Sequence, residues 1–176
     1  MYLLTGIGAD ARERRIHMAK VLVAYFTASA GRVTEKVARR LADAIGADVF
    51  EIVPEVPYTK SDIRWTNPVS RCNKEKFGKK DVPVAGKVEN FADYDLILLG
   101  FPIWYGCAPN VVNTFIKGYD TAGRKIAAFA TSGGSGIGKT AEKLKPYVSE
   151  SAEVVDAKLF KPDASEAELK AWAEGL

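Results

Sequence analysis

VLVAYFTASAGRVTEKVARRLADAI, residues 21–45, is the stretch on which the reading of this chain turns. Val21 to Phe26 are six apolar or aromatic residues in a row. That run is too short for an ordinary helix and unbroken enough for a parallel strand buried on both faces. Thr27, Ala28, Ser29, Ala30 and Gly31 follow, all small and two of them hydroxylated. Apolar residues then return at Val33, Val37, Leu41, Ala44 and Ile45 with helical spacing, and Gly46 is placed to stop that helix. A strand, a loop of small hydroxyl residues and a helix start bring backbone N–H groups and a positive helix end together, which is what a phosphate needs. An ordinary strand-to-helix turn capped by Ser and Thr would read the same way, so this stretch alone leaves both open.

The 176 residues suit one domain with a core between layers, and an apolar content of 47% excludes disorder as the main state. A net charge of +3 points to neither nucleic acid nor a membrane surface. Cys72 and Cys107 stand far apart with no CxxC, and His17 is the only histidine. Metal-site, disulfide-framework and histidine-based catalytic readings are therefore weak, and no metal ligand or catalytic side chain is assigned. The start, MYLLTGIGADARERRIH, carries its basic residues after a short apolar run, opposite to a secretory signal. No stretch approaches membrane-spanning length, so a soluble, cytoplasmic protein is expected. Residues 1–17 match no element of the pattern that follows and are read as a leader or disordered extension, with the domain running over 18–176.

After Gly46, Asp48 to Val53 alternates like a half-exposed edge strand and stops at Pro54 and Pro57. The stretch up to Asn90 has no clean periodicity and is too long for a plain loop, which predicts a short helix inside it and a functional lid. Between Lys60 and Asp81 stand seven Lys or Arg against three acids; such an excess is usually a solvated face, and otherwise steers an anionic partner. Leu96 to Leu99 predicts a second buried strand, with Gly100 to Pro109 as the loop after it. A helix follows on Val111, Val112, Phe115 and Ile116, ended by Gly118. Ile126 to Ala130 predicts a third buried strand, then a Gly-rich loop and a helix carrying Ile137, Ala141 and Leu144 on one face. A last strand at Glu153 to Leu159 precedes a helix opened by a Ser165/Glu168 capping box and seated by Leu169, Trp172 and Ala173. Five strands alternating with helices mean an open parallel sheet covered on both faces, an α/β architecture. Its ligands belong beyond the carboxyl ends of the strands where the strand order reverses.

Three strand ends carry loops of unusual composition: Thr27–Thr34, Phe101–Ala108 and Thr131–Gly138. The third contains GGSGIGKT, Gly133 to Thr140, which satisfies the spacing of a nucleoside-triphosphate P-loop. Only 36 residues follow Thr140, too few for the rest of such a sheet, so this reading ranks last. The second loop offers Phe101, Trp104 and Tyr105 among Pro102, Gly106 and Pro109, where three large aromatics cannot all enter the core. They either pack under the long insert or present flat faces to a flat ligand. A phosphate cradle beside an aromatic platform fits flavin mononucleotide (FMN), and the lack of a second Gly-rich half argues against a dinucleotide.

Tyr25-Phe26-Thr27-Ala28-Ser29, then Gly100-Phe101-Pro102-Ile103-Trp104, then Thr131-Ser132-Gly133-Gly134-Ser135-Gly136 occur in that order. With these motifs, residues 20–176 resemble the flavodoxins, in the branch that carries GFPIW and TSGGSG. The resemblance implies a doubly wound five-stranded parallel sheet of order 2-1-3-4-5 and FMN held noncovalently. It also implies phosphate contacts from Thr27, Ser29, Ala30, Gly31, Arg32, Val33 and Thr34, with Arg32 free to pair with the dianion. The ring would lie against Pro102, Ile103, Trp104, Tyr105 and Gly106, and Thr131, Ser132, Gly133, Gly134 and Gly136 would approach its edge and the ribityl chain. Gly106 suits a peptide that reorients on reduction, and Cys107 falls close by as a free buried thiol. Two features depart from the family. The 29–34 loop is longer than usual, and a sequence pI of about 8.8 contrasts with the acidity of many flavodoxins. The expected function is electron transfer to a redox partner protein or a small-molecule acceptor. The alternative is an FMN-dependent NAD(P)H oxidoreductase acting on quinones or similar acceptors, suggested by the basic stretch and the lid.

Overall fold

In chain order the elements are β1 (Val21–Tyr25), α1 (Val33–Ile45), β2 (Asp48–Glu51), β3 (Val53–Pro54), α2 (Arg71–Phe77), β4 (Val84–Ala85), β5 (Leu96–Pro102), α3 (Asn110–Lys117), β6 (Lys125–Thr131), α4 (Thr140–Leu144), β7 (Glu153–Leu159) and α5 (Glu166–Glu174). The structure is a computed structural model that describes residues 19–176. The leader expected at 1–17 lies outside the described residues.

Five strands pair in parallel in the order β2-β1-β5-β6-β7, which is 2-1-3-4-5 when the strands of this sheet alone are counted. From β1 the chain runs outward to β2 and then returns to β5 on the opposite side of β1. The order therefore reverses at the carboxyl ends of β1 and β5. Each central strand is an apolar run because it is buried twice. Leu22, Ala24, Phe26, Ile97, Leu99 and Phe101 meet Val111, Val112, Phe115 and Ile116 of α3 on one face. Val23, Tyr25, Leu98 and Phe129 meet Val37, Ala38 and Leu41 of α1 and Leu169 and Trp172 of α5 on the other. Alternate residues of one strand thus serve two separate cores.

Local chemistry sets the boundaries. Gly46, at φ 67°, closes α1 with its amide on the Ala42 carbonyl. Ser165 Oγ accepts the Glu168 amide at 3.2 Å to open α5, and the Trp172 indole N–H reaches Asp156 at 2.6 Å. The long insert contains the expected helix, α2, and its stem is tied where β3 and β4 pair antiparallel. Tyr58, Arg71 and Glu75 lock it internally. The Arg71 guanidinium lies 4.1 Å from the Tyr58 ring centroid and pairs with Glu75 at 2.6 Å, and the Tyr58 hydroxyl donates to Glu75 at 2.6 Å.

Two expectations need correction. The strand read as Leu96–Leu99 runs on to Pro102, because Phe101 is fully buried between the sheet and α3 and Gly100 leaves room for the Phe129 ring. Phe101 is thus core and not platform. Ile137 lies before α4, where it packs on the core from the loop, since the helix begins only at Thr140.

Candidate functional site

The loops after β1, β5 and β6 converge at the reversal point. After β1, the Ser29 carbonyl accepts the Arg32 amide at 3.0 Å and its hydroxyl accepts the Val33 amide at 3.3 Å. This folds Ala30 and Gly31 outward as an exposed tip. Thr27 Oγ1 is buried with no hydrogen-bond partner among the described residues. Leaving a buried hydroxyl unmatched costs about 1–3 kcal/mol, and a phosphate oxygen is the kind of group that would satisfy it. Thr34 points the other way, with its hydroxyl 2.8 Å from that of Thr131 and both side chains buried. This bond ties the first loop to the third and leaves neither hydroxyl directed at a ligand. The Arg32 guanidinium is also engaged: it pairs with Glu35 and, at 2.7 Å, with Glu51. Direct pairing with a phosphate would require it to leave both carboxylates. Those contacts hold the Glu35 carboxyl at about 2, the Arg32 hydrogen bond being the largest cause and Arg39 the next.

The second loop is a tight turn. Trp104 and Cys107 exchange backbone hydrogen bonds at 3.0 and 3.1 Å, and the two residues between them, Tyr105 and Gly106, have φ of 53° and 71°. Positive φ at both central positions matches a type I′ turn. Glycine takes that conformation freely, whereas Tyr105 is held in it by side-chain anchors. Its hydroxyl donates to Asn73 Oδ1 at 2.5 Å and lies 3.3 Å from Cys72 Sγ, and burial, with Cys72 second, pushes its pKa up. Trp104 is braced edge-on by Phe26 at 5.6 Å and Tyr58 at 5.3 Å between ring centroids. Cys107 sits beneath the turn, its sulfur 2.7 Å from Lys76 Nζ.

In the third loop Ser132 Oγ accepts the amides of Gly134 at 3.1 Å and Ser135 at 2.7 Å, which exposes Gly133, Gly134 and Gly136. Gly138, at φ 57°, lies so near the Trp104–Cys107 turn that a Cβ there would stand 3.0 Å from the Gly106 carbonyl. The Gly-rich loop is therefore fitted against a carbonyl, which repels phosphate, while Lys139 faces Glu142 at 3.8 Å. A P-loop arrangement is not what this loop forms.

Between the second and third loops and the insert lies a cavity of about 260 Å³ lined by Ile63, Trp65, Cys72, Ile103, Trp104, Tyr105 and Ser135. Ile103, Trp104 and Tyr105 were legible from the motif. Ile63, Trp65 and Cys72 were not, because the insert has no periodicity to say which side chains turn inward. The thiol that reaches the cavity is that of Cys72, not Cys107. The hydroxyl without a partner at one strand end and the aromatic-walled cavity at the next fit the phosphate and the ring of the expected nucleotide. Among the described residues no His, Cys, Asp and Glu gather into a set of three or more that could hold a metal.

The solved structures most like this one include a provisionally assigned flavoprotein of Bacteroides eggerthii, with a TM-score of 0.80 and 37% identity over 89% of this chain and 97% of that one. A second such protein, from Bacteroides uniformis, gives 0.78 and 34% over 89% and 98%. A Lactobacillus acidophilus flavoprotein crystallised with FMN gives 0.65 and 21% over 88% and 99%, a likeness of fold. Among curated proteins none matches. The flavodoxin family model matches residues 20–176, the span that holds the whole sheet and all three loops, and the chain therefore belongs to the flavodoxin family.

Proposed function

We propose that the protein binds FMN noncovalently at the reversal point and works as an electron-transfer protein of flavodoxin type. The observation that carries the reading is the pairing of the buried, unpartnered Thr27 hydroxyl with the Trp104–Tyr105 cavity on neighbouring strand ends. Bound FMN supplies reversible one- and two-electron chemistry. The chain's own contribution is placement. Thr27 and the amides of residues 28–31, which Ser29 leaves free while it holds those of Arg32 and Val33, would receive the phosphate end, and Trp104 would offer its indole as a stacking face that Phe26 and Tyr58 prevent from turning. Ile63 and Cys72 exclude water from the inner wall. Gly106, with free backbone choice, sets the peptide dipole at the mouth.

Both cysteines are free, as suits a reducing cytoplasmic setting, and no described helix is long and apolar enough to cross a membrane. The test is an absorption spectrum of the purified protein before and after dithionite, with titration of FMN fluorescence. A flavin spectrum that bleaches reversibly, together with stoichiometric quenching, is expected. A colourless protein that leaves FMN fluorescence unchanged overturns the reading, and direct bleaching by NADPH or NADH replaces the carrier with a reductase.

A further inference from the structure

We propose that the insert is the docking surface for an acidic electron-transfer protein, centred on Trp65, Tyr105 and Phe77 at the mouth of the cavity. This rests on the FMN reading above and adds to it the kind of partner. Trp65 and Phe77 are 71% and 77% exposed, and Val69 is 66% exposed. Trp65 shares the cavity wall with Tyr105, and the Phe77 ring meets Tyr105 edge-on at 5.8 Å. The three rings thus form one apolar patch over the route by which an electron would leave. Large exposed aromatics beside a pocket mark an interaction site more often than a solvated face.

The frame that presents them is fixed in advance. The Asn73 side-chain amide donates to the carbonyls of Trp65 at 2.8 Å and Asn67 at 2.7 Å. That of Asn110 donates to the carbonyls of Glu75 and Lys80, both at 2.8 Å. A segment ordered before contact loses less on binding.

Charge selects the partner. Two of the three acids of the segment sit in ion pairs, and the third is hydrogen-bonded without being neutralised. Glu75 holds Arg71, Asp81 holds Lys117 at 2.5 Å, and Asp62 accepts the Thr59 amide and hydroxyl, each at 2.8 Å. Lys60, Arg64, Lys74, Lys79 and Lys80 are exposed and form no ion pair among the described residues. Beside α2 a cleft of about 440 Å³ is lined by the cations Arg71, Lys74 and Lys80 and by the carboxylates Asp62 and Glu75; with Arg71 paired to Glu75, the unpaired cations there are Lys74 and Lys80. A second copy of this chain would set these cations against themselves, an arrangement that costs association energy. An apolar patch on a segment with these five unpaired cations is instead complementary to a partner that carries acids beside an apolar patch, in the small interface typical of transient electron exchange.

The test uses the FMN-loaded, dithionite-reduced protein mixed by stopped flow with ferric cytochrome b5, an acidic probe, or ferric cytochrome c, a basic one, across increasing ionic strength. One electron leaves the reduced flavin and one ferric haem becomes ferrous, with no bond formed. The rate to cytochrome b5 should fall about tenfold with salt while that to cytochrome c stays flat or rises. The Lys60→Glu, Arg64→Glu, Lys74→Glu triple variant should reverse that order. Phe77→Ala, at a ring outside the cavity lining, should slow transfer to cytochrome b5 at every ionic strength while leaving FMN affinity within twofold. A wild type that loads FMN but shows no salt dependence, or prefers the basic probe, overturns the docking proposal alone. Tight binding of anionic vesicles or single-stranded DNA, with transfer to cytochrome b5 indifferent to the triple charge reversal, also overturns it. A wild type that takes up no FMN overturns the functional reading and this proposal together.

Discussion

Thr27 and Trp104 do opposite jobs with the same ligand, and their substitutions should separate accordingly. Thr27 Oγ1 is buried without a partner among the described residues, so Thr27→Val removes an uncompensated polar atom. The apo protein should gain up to about 1 kcal/mol in urea unfolding, while FMN affinity falls by about 1–2 kcal/mol. Loss in both measurements would show that the hydroxyl already has a partner in the apo state. Trp104 is held by two edge contacts and lines the cavity. Trp104→Ala should weaken FMN binding by about 1–3 kcal/mol, and an unchanged dissociation constant would contradict its role. The Gly100 of the GFPIW motif belongs to neither class. A Cβ there would meet Phe129 Cζ at 2.1 Å, so Gly100→Ala should lower stability by about 1–3 kcal/mol through overpacking.

At the scale of elements, the first turn of α1 is fastened to β1 and β2 by charge. Glu35 takes Arg32 and Arg39, Glu51 takes Arg32, and the Tyr25 hydroxyl lies between the two carboxylates, 3.2 Å from Glu35 and 3.4 Å from Glu51. Burial first, and Glu51 second, raise the Tyr25 pKa. Glu35 is held at about 2 against an ordinary value of 4.5. A carboxyl with a depressed folded-state value stabilises the protein fully above its unfolded value and loses that contribution as pH falls through the folded one. The Glu35 share of stability should therefore be complete above about pH 5 and vanish between about pH 4.5 and 2. Glu35→Gln should flatten the stability profile in that window when unfolding is followed by circular dichroism, and an unchanged profile would show that another carboxylate governs it.

Taken whole, the molecule is a rigid sheet with its ligand rim assembled from distant segments, so binding should report on global stability. At FMN concentrations about one hundred times the dissociation constant, mass action adds about 2.7 kcal/mol. For a domain of this size that corresponds to a rise of about 5–10 °C in Tm. A Tm that ignores FMN would mean that the rim does not hold the ligand in the folded state. The basic, aromatic-tipped insert at that rim is the face proposed above for an acidic partner.

The sequence by itself determined the sheet. Runs such as Val21–Phe26 and Ile126–Ala130 are continuous because a central parallel strand is buried on both faces, and that requirement is local enough to read from one segment. It also determined the helix ends at Gly46 and Ser165, whose conformations and caps involve neighbours within a few positions. The aromatic loop after Leu99 placed Trp104 and Tyr105 at a strand end, because so many large aromatics there cannot all enter the core. Only the tertiary structure decided the rest. Arg32 is drawn to Glu51, Thr34 bonds Thr131, and Phe101 goes under α3, each governed by a residue far along the chain. The insert supplies the roof of the cavity through Ile63, Trp65 and Cys72, and its side chains are oriented by carbonyl and amide pairings that leave no period in the sequence. Periodicity records what a residue does with its own strand or helix; it carries no record of which distant loop will stand opposite.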